Sequence, residues 1–219
     1  MSQATPFTFG EIFTLLFLTL GPLKIIGPFV SMTKGREGAF KRKAAFLGIA
    51  IAALALLAAA TVGAKILEKW GISTGALLLT AGIILFLVAL RPILEQYAPH
   101  DAKPTTPEST GPPPRPMALA FSPLAFPTIV TPYGIAVLIL LMTLRWDGAT
   151  IAPQVIQVAA IVLVLDLLAM LSADRILKTP FVAPVLGVIG IVVGVLQVAL
   201  GVQAAVSGMR LLGMIGSGG

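Results

Sequence analysis

The sequence predicts an all-α, polytopic membrane protein. Six transmembrane helices are expected, in two inverted three-helix repeats, each with a broken or re-entrant first helix. Three observations carry that prediction. Of the 219 residues, 57% are hydrophobic and 11% charged, with a mean hydropathy of +1.00, whereas a soluble domain carries about 25% charged residues. Six apolar runs approach the roughly 20 residues that a helix needs to cross the hydrocarbon core. Two of these runs, one in each half, are interrupted by proline and glycine in the same manner.

The runs cover residues 7–33, 44–64, 75–94, 117–144, 150–173 and 181–209, and charges punctuate them. Lys34, Arg36, Glu37, Lys41, Arg42 and Lys43 follow the first. Lys65, Glu68 and Lys69 follow the second and, with Trp70, read as an interfacial anchor. Arg145 and Asp147 follow the fourth; Asp174, Arg175 and Lys178 follow the fifth. The first run is too long, and its start too poor in basic residues, for a cleaved signal peptide.

Residues 95–116 are different. They hold seven of the seventeen prolines and almost nothing apolar, so an extended linker is expected there. It separates a first repeat, 1–94, from a second, 117–219. If the first loop is cytoplasmic, ten Lys and Arg fall on that side and four on the other. The positive-inside rule then places the linker inside and both termini outside. Three spans per half is an odd number, so the halves enter from opposite sides, which is an inverted repeat.

Composition also excludes functions. There is no cysteine, and the single histidine, His100, lies in the linker. That removes a His/Cys metal cluster and a Ser-His-Asp triad. No nucleophile–base pair and no phosphate-binding loop is present, so neither an enzyme nor a cofactor is expected. The net charge of +6 sits in short loops between apolar runs, an orientation signal and not a nucleic-acid surface. The expected partners are the lipid bilayer and a small solute; a homo-oligomer is left open.

The interrupted runs are the candidate site. The first reads Gly21-Pro22-Leu23-Lys24-Ile25-Ile26-Gly27-Pro28. The second runs from Ser122-Pro123-Leu124 through Pro127 to Pro132-Tyr133-Gly134, and Pro22 and Pro123 are 101 residues apart. A broken helix exposes backbone N–H and C=O groups that hydrocarbon cannot satisfy. Breaks in corresponding positions of two halves point to a solute site near the midplane. The candidate solute-binding residues are Gly21, Pro22, Lys24, Gly27, Pro28, Pro127, Thr128, Thr131, Pro132, Tyr133 and Gly134.

Lys24 lies about four residues past the centre of its run, about 6 Å from the midplane, and Asp166 lies at a similar depth. An unpaired charge there costs at least about 2.5–3.5 kcal/mol. An internal Lys24–Asp166 ion pair is expected, or both groups facing one aqueous cavity, with Asp166 as counter-ion or proton carrier. Gln197, Gln203 and Ser207 read as interhelical hydrogen-bonding groups, and Gly187, Gly190, Gly194 and Gly201 as sites of close helix packing.

Several stretches resemble the MarC family of six-span bacterial membrane proteins, which includes small neutral amino acid transporters. They are Pro123-Leu124-Ala125-Phe126-Pro127, Thr131-Pro132-Tyr133-Gly134-Ile135-Ala136, Ala81-Gly82-Ile83-Ile84-Leu85-Phe86, and Gln197 with Gly201. The resemblance spans nearly the whole chain except the linker. It departs at the first break, where Gly21 stands for the family's Asp or Asn and Lys24 for its glycine. Thr131 and Tyr133 likewise stand where glycines are usual. The resemblance implies secondary transport of an amino acid or related small carboxylate by alternating access. The departures imply a more acidic solute. The alternative is a non-transporting membrane protein with an assembly or lipid-handling role.

Overall fold

The computed structural model describes residues 8–95, 115–143, 145–146, 149–178 and 182–216. Residues 96–114 of the expected linker lie outside them. The fold is helical apart from one short hairpin, and six spans follow the order of the apolar runs. Five helices are long and apolar enough to cross a bilayer, and the pair Pro116–Ile129 and Pro132–Thr143, bent by 64°, brings the number to six when counted as one span.

The first span is α1 (Phe9–Leu20), a 3-10 turn (Pro22–Lys24) and α2 (Ile26–Met32). Thr8 and Glu11 form a capping box at its start, which satisfies two orphan N–H groups of the first turn. The second is α3 (Gly38–Ala58), carried through a wide turn (Ala59–Gly63) into α4 (Ala64–Lys69), and the third is α5 (Thr74–Glu95). The second span begins six residues earlier than its apolar run. Lys41, Arg42 and Lys43 are helical, and Lys41 reaches Asp174 at 2.7 Å. The fourth span is α6 (Pro116–Leu119), an irregular segment (Ala120–Ile129) and α7 (Pro132–Thr143). An antiparallel pair, β1 (Arg145–Trp146) and β2 (Ala149–Thr150), leads to α8 (Ala152–Lys178) and α9 (Val182–Leu211).

Four spans make the body. α8 is its central strut, packed on α1, the 3-10 turn, α2, α3 and α7, while α3 packs against Ala120–Ile129. Ile12, Leu16, Leu20, Ile129, Leu138, Leu141, Val155 and Val158 fill the space between them.

α5 and α9 form an arm, paired with each other along most of their length. Glycine makes this pairing unusually close. A Cβ on Gly82 would lie 2.4 Å from Ala205 N, one on Gly201 2.6 Å from Phe86 N, and one on Gly208 2.5 Å from Leu79 N. Backbone meets backbone at each point, as small residues allow between membrane helices. The outer face of α9 exposes Val188, Val192 and Val195, apolar side chains suited to lipid. The arm touches the body mainly through α5 on α7.

A cavity between the two breaks

The first break follows from Pro22. Proline forces the preceding residue out of the helical region, and Gly21 is extended (φ −76°, ψ 176°). A Cβ at Gly21 would lie 2.2 Å from Phe17 O, so only glycine fits. Proline also donates no N–H. The carbonyl of Leu18, four residues earlier, therefore loses its helical partner, and Gln197 Nε2 of α9 donates to it instead. The Thr19 carbonyl accepts from Lys24 Nζ and, at 3.4 Å, from Thr131 Oγ1. Three side chains, two of them from the other half of the chain, thus replace the bonds the break removes.

The second break is closed by its own segment. Ser122 (φ −141°, ψ 129°) and Phe126 (φ −122°, ψ 126°) are extended, each before a proline, and both X–Pro bonds are cis. Thr128 Oγ1 donates to the Pro123 carbonyl at 2.8 Å, and Val130 N to the Ala125 carbonyl at 2.9 Å. Thr131 then caps α7, its Oγ1 accepting from Gly134 N at 3.2 Å. Pro132 is the first helical residue of α7, where its missing N–H costs nothing. Pro28 is likewise in the first turn of α2. Of the prolines at the two breaks, Pro22, Pro123 and Pro127 interrupt a span.

Between the breaks lies a cavity of about 510 Å³, within the usual range for small-molecule sites. Of the candidate residues, Gly21, Lys24, Pro127, Thr128, Thr131 and Tyr133 line it. Pro22, Gly27, Pro28, Pro132 and Gly134 do not. Gly27, Pro28 and Pro132 are exposed elsewhere. Gly134 packs on α1, where a Cβ would lie 2.4 Å from Leu20 Cδ2. Phe17, Leu18 and Leu23 complete the wall on the first span, and Val88, Ala89 and Ile93 on α5.

The α9 wall corrects an expectation. Gly187, Gly190 and Gly194 face the cavity, and a Cβ at Gly187 or Gly190 would meet nothing within 4 Å. Of the four glycines expected to pack helices closely, Gly201 alone does so. Gln197, expected as generic interhelical bonding, both lines the cavity and caps the first break. No periodicity rule separates these roles, because the phase of a helix that is apolar all round leaves its buried face undetermined.

Lys24 is the one charged side chain among the described residues lining the cavity. Besides the Thr19 carbonyl, it donates to Tyr133 Oη at 3.3 Å and sits 5.3 Å from the Tyr133 ring centroid, within cation–π range. An ammonium has three N–H donors, so one remains for a solute oxygen.

Asp166 is placed differently from expectation. It is 0% exposed, and both carboxylate oxygens lack a hydrogen-bond partner among the described residues. The expected contact with Lys24 is not made, although the two stand within electrostatic range. The ammonium is turned toward the acceptors that the first break frees. Asp166 does not line the cavity.

Comparison with known proteins gives one match. A family profile described as MarC family integral membrane protein matches residues 7–212. No curated protein and no solved structure matches the chain.

Proposed function

The chain belongs to the MarC family of integral membrane proteins, and from that premise we propose that it is a secondary transporter. Its solute is a small polar molecule, an amino acid or related small carboxylate. The carrying observation is the cavity of about 510 Å³ bounded by both breaks and by α5 and α9. The remaining Lys24 donor binds the carboxylate, helped by the positive end of the α7 dipole. No acidic side chain is among the described lining residues, which favours an acid over a zwitterion.

Alternating access fits the packing. We read the six spans as an inverted repeat, with α1–α2 matched to Ala120–Thr143, α3–α4 to α8, and α5 to α9. α3 packs on the second break as α8 packs on the first, and α5 pairs with α9. The match is broken around α2 and α7. α5 packs firmly on α7, but α9 has no comparable packing on α2. In the orientation set by the Lys and Arg count, the loose side faces the cytoplasm of a bacterial cell with both termini periplasmic. The conformation is then inward-open, and the other state exchanges the tight and loose contacts.

The test is uptake by proteoliposomes over a panel of labelled amino acids and small carboxylates. Flux for at least one carboxylate, reduced by Lys24→Gln, is expected. No flux for any of them would count against transport and for a non-transporting role.

A further inference from the structure

Asp166 is wholly buried, on a helix that packs on α1, the Pro22–Lys24 turn, α2, α3, α7 and α9. On its own helix, Val162, Leu163 and Met170 are buried around it. A buried polar group without partners is rare enough in folded proteins to need a cause. An ionised carboxylate in such a place loses its hydration and recovers no hydrogen bond, whereas the neutral acid loses far less.

The charged groups around it have other engagements. Lys24 is bonded to the Thr19 carbonyl and Tyr133 Oη. Lys41 of α3 pairs with Asp174, two turns further along α8. Glu11 of α1 is tied to Thr8 at the far end of that helix. α2 carries no titratable side chain, α7 offers only the Tyr133 hydroxyl, Arg42 and Lys43 stand beside Lys41 near the start of α3, and Arg210 lies in the last turn of α9. A metal ion needs several oxygen ligands, and none is bonded to this carboxyl. A proton needs one.

We propose that Asp166 is a proton-binding site, loaded in the conformation described here, and that Lys24 is shared between it and the solute. With Asp166 neutral, the ammonium charge is uncompensated and holds an anion in the cavity. When the acid gives its proton to water, its carboxylate draws Lys24 away, and the anion is released. Each monoanion thus moves with one proton, and the cycle carries no net charge. The coupling half rests on the transporter reading; the proton site itself does not.

Infrared spectroscopy of the purified protein in lipid tests the site without any solute. The neutral-pH spectrum should contain a protonated-carboxyl C=O band that moves in D₂O, shifts on ¹³C-aspartate labelling and is missing from Asp166→Asn. If that variant does not fold, the labelled triple variant Asp101→Asn, Asp147→Asn, Asp174→Asn, in which Asp166 is the one aspartate left, assigns the band instead. Absence of the band overturns the proposal whether or not a solute is carried. A band in a protein that carries nothing supports the site and counts against the transporter reading. In proteoliposomes, Asp166→Asn should bind the solute with an affinity that no longer depends on pH and lose accumulation driven by a pH gradient; retained accumulation would overturn the coupling.

Discussion

The two breaks answer the same chemical problem in opposite ways. At the second, hydroxyl and amide groups of residues 128–134 satisfy the opened backbone locally. At the first, the Leu18 and Thr19 carbonyls depend on Gln197 and Thr131 from the other half and on Lys24. A break closed from within its own segment is an autonomous turn. One closed by distant side chains reports the position of those side chains, and it is the better candidate for a part that moves.

Substitutions should sharpen that contrast in a definite order. Lys24→Met should have the largest effect. A hydrogen bond to a charged group is worth about 1.5–3 kcal/mol, so solute affinity should fall at least about tenfold by calorimetric titration. Gln197→Leu comes next. It leaves the Leu18 carbonyl unpaired and should cost about 1–2 kcal/mol, seen as a lower melting temperature in detergent. Thr131→Val removes the cap of α7 and the long bond to Thr19, for about 1 kcal/mol. Faster hydrogen exchange at the first amides of α7 should report it. Thr128→Val deletes an exposed bond inside the second break and should change the melting temperature least, by less than about 1 kcal/mol. If Thr128→Val proved as costly as Gln197→Leu, the distinction between a self-closed and a borrowed closure would be lost.

Much of this architecture was legible in residue order. The spans were, because length and apolarity are enough to mark them. Pro22, Pro123 and Pro127 were recognisable as breaks, since proline acts on its own backbone. Pro28 and Pro132 look no different in sequence, because proline costs nothing in a first turn and the sequence does not show where that turn begins. The expected Lys24–Asp166 contact rests on shared depth and on the cost of an unpaired charge. What turned Lys24 elsewhere was the Thr19 carbonyl, a group that exists as an acceptor only once the helix has opened. The cavity face of α9 was invisible for a related reason: Gly190 and Gly201 are the same residue in similar surroundings, one beside empty space and one against Phe86.

The seam between α5 and α9 has a mechanical consequence. Where Gly82, Gly201 and Gly208 bring the two backbones together, no side chains interlock, so the joint works as a weld and not as a gear. The two helices come from opposite halves of the chain but form one lever. A force applied at the far end of α5 would arrive at Gly187 to Gly194 without passing through the other four spans.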